Sequence, residues 1–509
     1  MLSKLYERAV AREGQFTSSS PAARYDLFYL IVASILVAGV YVGSRGSVFT
    51  AISLIGAVAA VVLTFYRVDW GFMFFIGCVL LFDQFPPRGY ERTIIGVEYF
   101  YNLKSLSAFA GVGPAVVNPL ELHLFIVFIA WIFLIITGKK VFLSRVGGWA
   151  SALIFFLWLT LGAITGIGRG GDFLPALWEI RALFYLGIMF VFVPQIIQTR
   201  PQVVQLFWVI IIALSLKTLQ GLVRAVNLGF HFGGRNELTN HEDPLFFTSL
   251  VILLSAFFVY KYRGYQRRYL MLLFSPMMLV FFLSQRRATW AALAASMLAL
   301  LVLIEPGLRK KLVRMVTPFL VIIGVYLAIF WDTPPGGIGH GAFLVRSSFG
   351  STKEEAGERY YSNLYREFED YNLAQTVKTA PLFGIGFGNK YEQPIKLPRI
   401  PFTLAEYIPH NEILWLYVKV GSIGFFLFWI FFYSHVVRAA SLFTKMRDPY
   451  MKSVCAVTII AVLGQVIVSF YDLQLTYYRN MIFLGLLMGL VPTLSRLQAQ
   501  EEVLLTSTN

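Results

Sequence analysis

Apolar residues run along this chain in long blocks, not in the short alternations of strands. A block of about 20 apolar residues is long enough to cross a bilayer as a helix. Fourteen blocks approach that length: 27–43, 48–65, 70–83, 119–137, 148–167, 173–197, 204–223, 244–260, 269–283, 288–304, 315–331, 411–432, 452–471 and 478–495. The blocks at 70–83 and 269–283 are the shortest, so the pattern predicts about 12–14 transmembrane helices. The predicted fold class is therefore all-α, a polytopic membrane helix bundle. No fixed-period repeat and no low-complexity tract interrupts it.

Composition supports this. Residues are 57% hydrophobic and only 14% charged, where a soluble domain carries nearer a quarter charged. The net charge of +15 would point to nucleic acid in a soluble protein. Here the placement of the charges explains more. The short connections holding Lys139, Lys140, Arg145, Arg200, Lys261, Arg263, Arg267, Arg268, Arg309, Lys310, Lys311, Arg314, Arg438, Lys445, Arg447 and Lys452 lie on one side. With Arg67, Arg496 and the N-terminal tail, they hold about half of the 43 basic residues. The positive-inside rule then puts both termini in the cytoplasm, with no nucleic-acid partner. Cys78 and Cys455 sit in apolar blocks, which argues against a disulfide framework. The first apolar block is too long for a signal-peptide core.

Three regions follow: a transmembrane bundle with a cytoplasmic tail (1–331), a large outer loop (332–409), and C-terminal transmembrane helices with a cytoplasmic tail (410–509). The loop opens on the helix-breaking cluster Thr333 to Gly337 and reads as helical from about Glu354 to Lys378. There Phe368, Glu369, Asp370 and Tyr371 read as a solvated helix face. The glycine-punctuated stretch Gly384-Ile385-Gly386-Phe387-Gly388 lacks the strand context of a dinucleotide fingerprint. It reads as a turn returning the loop to the membrane.

Ionisable groups are costly in a bilayer and by default mark function. The candidates collect on the outer side. His410 opens a span, and Gly421 and Gly424 follow at 11 and 14 positions. At 3.6 residues per turn, both glycines would share its face and allow close helix packing. Such a histidine is a candidate base or an interfacial helix cap. Arg287 precedes a small-residue helix face and offers a planar fork to phosphate. It lies on the side where anchoring arginines are not favoured, whereas Arg286 should point elsewhere. Arg181 is either functional or paired with Glu179 or Glu121. Arg224, Arg235, Asp472 and Arg479 lie in or beside outer connections. Lys217 and Lys419 read as snorkelling or internally paired.

Together, in this order, these residues resemble the O-antigen ligase and polymerase family of bacterial membrane glycosyltransferases, over roughly residues 175–430. His410-Asn411, nine residues, Gly421, two residues, Gly424 fits that family's His-Asn/Ser/Gln-x9-Gly-x2-Gly/Thr/Tyr signature. Pro381-Leu382-Phe383-Gly384-Ile385-Gly386 is similar to its Pro-Leu-x-Gly-x-Gly segment. Ser284-Gln285-Arg286-Arg287 is similar to its Ser-x-x-Arg-Gly turn, with Ala288 in place of the glycine. Arg235 resembles the family's arginine before an Asn-Pro-Asn step, which here reads Asn240-His241-Glu242; Arg224 is its rival.

The resemblance implies a GT-C-like enzyme of the bacterial inner membrane acting at the periplasmic face. The donor would be a glycan on undecaprenyl diphosphate. The acceptor would be a sugar hydroxyl, on lipid A-core for a ligase or on a lipid-linked glycan for a polymerase. Arg235, Arg287, Arg181 and Arg224 would bind the diphosphate, His410 would act as base, and Asn411, Gly421 and Gly424 would support it. No cofactor is implied. The first outer loop, Gly43-Ser44-Arg45-Gly46-Ser47, has no carboxylate to hold a metal, which argues for arginine in place of a cation. A transporter or flippase is the alternative. It would show repeated halves and a midplane site, and the sequence has no such repeat. A non-catalytic scaffold, with arginines that only hold lipid phosphate, is a third reading.

Overall fold

The computed structural model describes residues 48–85, 97, 99–101, 117–138, 144–229, 238–334, 337–349 and 359–507. The predicted span 27–43, the first outer loop and Arg235 lie outside them. The other thirteen predicted blocks all form helices, and the described residues contain no strand. In chain order the helices are α1 (Val48–Tyr66), α2 (Val68–Leu81), α3 (Pro119–Ile136), α4 (Trp149–Gly168), α5 (Phe173–Ile196), α6 (Arg200–Asn227), α7 (Asp243–Val259), α8 (Tyr265–Leu283), α9 (Arg287–Leu303), α10 (Pro306–Phe330), α11 (His340–Phe349), α12 (Arg359–Thr379), α13 (Glu412–Lys445), α14 (Pro449–Ser469) and α15 (Tyr478–Ser507).

Eight of these are long and apolar enough to cross a membrane by length and composition. Helices α2, α7 and α9 are shorter apolar helices of the same bundle. Helix α15 packs most extensively on α5, α9 on α14, α2 on α6, and α13 on α4. Residues of α7, α14 and α15 are buried almost all round, whereas α10 leaves nearly its whole apolar surface open. A helix apolar on every side and open on most of them suits lipid.

The predicted span 411–432 continues to Lys445, and it is not one continuous helix. At Gly421 the backbone turns to φ 65°, ψ −176°, a conformation that only glycine adopts without strain. The break strands carbonyls and amides that a bilayer cannot solvate. The loop supplies the partners. Ile385 N–H donates to Val418 O (2.9 Å), Gly386 N–H to Lys419 O (3.1 Å), and Trp158 Nε1–H to Val420 O (3.0 Å). In return Ser422 N–H donates to Pro381 O (2.8 Å) and Ile423 N–H to Leu382 O (3.3 Å).

The 3.6-residue phase therefore does not run unbroken from His410 to Gly421 and Gly424, as the sequence reading assumed. Close approach is still why both are glycine. A Cβ at Gly421 would lie 2.3 Å from Leu382 backbone atoms, and one at Gly424 would lie 2.4 Å from Trp158 Cδ1.

The glycine-punctuated stretch does return the loop to the membrane helices, and it inserts between them. At Gly386 (φ 82°) a Cβ would meet Gly166 Cα at 2.4 Å. Phe387 N–H donates to Gly162 O at 3.2 Å and Gly388 O accepts from Asp172 N–H at 2.8 Å. Lys419 is internally paired, as one reading of the sequence had it. It meets Glu179 at 2.6 Å, and Glu179 also accepts from Gly388 N–H at 2.6 Å.

Gly421→Ala adds a Cβ where both conformation and space exclude it. The positive φ alone costs about 1–2 kcal/mol. Thermal unfolding of the detergent-purified protein should shift down by several degrees. Gly324→Ala, inside α10 where the new Cβ meets no neighbouring element within 4 Å, should not lower it.

Candidate functional site

His410 sits where the loop re-enters the bundle, one residue before the Asn411 cap of α13. The Asn411 side chain accepts from Leu414 N–H at 3.1 Å. Glu369 of α12 holds the histidine twice. Its Oε2 accepts from His410 N–H at 2.8 Å and pairs with Nδ1 at 3.0 Å. The Tyr365 ring meets the imidazole edge-on at 5.7 Å between centroids. Glu369 is 1% exposed and the His410 side chain 24%, so the carboxylate is enclosed while the imidazole reaches open space.

This corrects the reading of residues 368–371 as a solvated face at Glu369, while Tyr371 is exposed as that reading expects. Glu369 lies in helical phase with Leu373 and Val377, which pack inward against Tyr391 and Val418. That phase was the available signal. Burial and the nearby Glu369 push the Tyr365 hydroxyl up to about 12. The Asp370 carboxyl is likewise raised by burial, against a hydrogen bond from Asn411 and the charge of Arg366.

Glu412 extends the arrangement. Its buried carboxylate accepts from the N–H groups of Gln474, Leu475 and Thr476, and from the Thr476 hydroxyl at 2.5 Å. That fixes the turn between α14 and α15, and with it Asp472. His241 Nδ1 lies 3.3 Å and Arg286 Nη1 4.0 Å from Asp472 Oδ2. Burial would raise the Asp472 carboxyl, but His241, Arg286 and Arg366 more than reverse this and hold it well below the usual range.

Arg287 is the first residue of α9, after a turn with Gln285 in the left-handed region (φ 56°). Its Nη2 donates to Asn363 Oδ1 at 3.0 Å. Asn363 and Glu369 lie on the same helix, six residues or about 9 Å apart along the axis. Helix α12 thus meets Arg287 near its N-terminal end and His410 at its middle, with Arg366 between them in sequence. The sequence reading missed Asn363, Tyr365, Arg366, Glu369 and Glu412.

The remaining arginines separate from this group. Arg181 pairs with Glu121 at 3.2 Å, the structural alternative weighed from sequence. Arg224 is buried in the last turn of α6. Arg479 is wholly buried against Asp83, Glu242 and Asp243 (3.4, 3.6 and 2.7 Å), and Lys217 joins Asp83 beneath it. Among the described residues, no group of three His, Cys, Asp or Glu side chains is arranged to hold a metal ion.

Fold and site together define a polytopic helical membrane protein whose large loop carries a helix that braces an imidazole and an arginine at one end of the bundle. Residues 269–429 match the O-antigen ligase family model, which supports a place for this chain in the O-antigen ligase/polymerase family. The match supports O-antigen ligase-like glycosyltransferase activity in general terms. It covers Arg287, the loop, His410, Gly421 and Gly424. Arg181, Arg224 and Arg235 precede it, so it is narrower than the span 175–430 read from sequence. Comparison with curated proteins gives no match.

Single cysteines at positions 287, 363 and 410 should react with a membrane-impermeant maleimide from one face of the membrane, and a cysteine at position 145 only from the other. Labelling of 287 and 410 from opposite faces would rule out a shared site.

Proposed function

We propose that this chain transfers a glycan from undecaprenyl diphosphate to a sugar hydroxyl at the periplasmic face of the bacterial inner membrane, with both termini in the cytoplasm. The observation that carries the reading is the bracing of His410 by Glu369 on the same loop helix that meets Arg287. A carboxylate can only accept, so the Nδ1 hydrogen bond puts the proton on Nδ1 and leaves Nε2 with its lone pair. Nε2 removes the acceptor hydroxyl proton as the new C–O bond forms at the donor's anomeric carbon. The old anomeric C–O bond breaks, and its electron pair leaves with undecaprenyl diphosphate. Negative charge grows on that leaving group, and Arg287, with Arg366 and Arg286 behind it, is placed to stabilise it.

The proposal keeps His410 and Arg287 as catalytic residues, with Asn411, Gly421 and Gly424 in support. Arg224 and Arg235 remain diphosphate contacts on the strength of the family resemblance. Arg181 is better explained by its pair with Glu121. Glu369 enters as a positioning residue. Ligases and polymerases share these motifs, so the acceptor is proposed only as a sugar hydroxyl, on lipid A-core or on a second lipid-linked glycan.

Purified protein given an undecaprenyl-diphosphate-linked glycan and an acceptor tests this. His410→Ala and Arg287→Ala should each lower transfer by at least a hundredfold while unfolding at the wild-type temperature. Full transfer by both variants would refute the proposal. Glu369→Gln keeps the side chain's size but loses the charge that orients the imidazole. It should lower kcat by about ten- to a hundredfold with little change in KM. An equal rise in KM would instead make Glu369 a substrate-binding group.

A further inference from the structure

At the end of the bundle away from His410, α5, α13, α15, the start of α6 and the segment before α4 surround a crevice of about 1530 Å³. It is separate from the site above: it shares none of that site's residues, and α13 runs from His410 at its start to Arg438 and Lys445 in its last turns. Its walls carry Arg145, Arg200, Arg438, Lys445 and Arg496, and among the described residues no carboxylate lines it. Arg200 is partly neutralised by Asp448 at 2.6 Å. Arg496 is steadied by the Ser144 hydroxyl at 2.5 Å. His435 also lines the crevice; it is 4% exposed, and its Nε2 has no hydrogen-bond partner among the described residues.

Along α13, His435, Arg438, Leu442 and Lys445 fall on one face, at steps of three, four and three residues. That face runs from a buried imidazole through a guanidinium and an apolar side chain to an ammonium. Topological anchoring needs positive charge near the membrane surface, but it needs neither a concavity nor an unpartnered polar atom at its inner end. The volume exceeds what an inorganic ion fills and suits a headgroup with the first part of its chains.

We infer that this crevice is a binding site for a phosphate-bearing anionic headgroup, presented by a lipid of the leaflet at that end. Several cations on concave walls recognise phosphate through charge-assisted hydrogen bonds. A basic pocket between transmembrane helices is a setting in which anionic lipids are held. The chemistry does not depend on the glycosyltransferase reading; only the identity of the leaflet, cytoplasmic in the proposed orientation, does.

Native mass spectrometry of the detergent-purified full chain, titrated with tetraoleoyl cardiolipin or with dioleoyl phosphatidylcholine, tests it. Wild type should retain cardiolipin and not phosphatidylcholine. Arg438→Gln combined with Lys445→Gln should weaken cardiolipin binding by about tenfold or more. Lys310→Gln combined with Arg314→Gln removes two exposed charges from the same end, outside the crevice, and should leave binding unchanged. Equal retention by wild type and the crevice variant, or equal loss in both variants, would overturn the inference. A parallel titration with inorganic pyrophosphate separates the sources. Tight pyrophosphate binding that the crevice variant loses would support the phosphate site while moving its ligand from lipid to solution.

Discussion

The structure depends on a helix that breaks where it cannot be left unsatisfied. Helix α13 stops being helical at Gly421, and within a bilayer the freed backbone groups must find protein partners. They find them in residues 381–386, which exchange four backbone hydrogen bonds with residues 418–423. This exchange closes the loop onto the bundle. With the 381–388 segment pinned at Gly421, Gly166 and Glu179, both ends of the chain between α12 and α13 are anchored. The contact between Glu369 and His410 is the consequence. Three consecutive residues then divide the work. His410 meets the loop helix, Asn411 caps α13, and Glu412 gathers the turn before α15.

Charged residues inside the bundle fall into two groups, and burial with pairing separates them. Lys217, Arg479, Asp83, Glu242 and Asp243 form a closed network, and Lys419 with Glu179 forms another. Removing one partner from such a network leaves a buried unpaired charge, which is strongly destabilising. These groups hold helices together. The residues at the His410 end are different. His410, His241 and Arg286 keep roughly a quarter of their side-chain surface open, while their carboxylate partners are buried or nearly so. Rigid acids behind accessible bases and cations are what a binding site requires.

The helices were legible because a bilayer demands long apolar blocks, and thirteen of the predicted fourteen appear as such. The pairing of Lys419 was anticipated in kind. What the sequence concealed lies where local rules yield to tertiary contact. Gly421 looked like a small residue on a helix face because a break in a transmembrane helix becomes stable only when a distant backbone repairs it. Glu369 looked solvated because its neighbours Glu367 and Asp370 are charged, although its phase with Leu373 and Val377 pointed inward. For Arg181 the sequence left function and a pair with Glu179 or Glu121 equally open, and only the packing selects Glu121, sixty residues away. Single-sequence reading finds charges in a membrane well and can name candidate partners, but only the packing chooses among them.

The broken helix also bears on chemistry, under the glycosyltransferase reading. A lipid diphosphate and a bulky glycan must reach the same few ångströms as the acceptor, so the site has to be open. An open site is solvated, and solvation weakens each charge it exposes. Holding the imidazole from an extended loop alone would leave it mobile, and placing it deep in the bundle would exclude the substrates. The loop helix resolves the conflict. It packs on α13, buries Glu369 against His410, and meets Arg287 through Asn363. The reacting groups can then be exposed while the residues that aim them are not. That separation needs a loop anchored at both ends, and the Gly421 break supplies the second anchor.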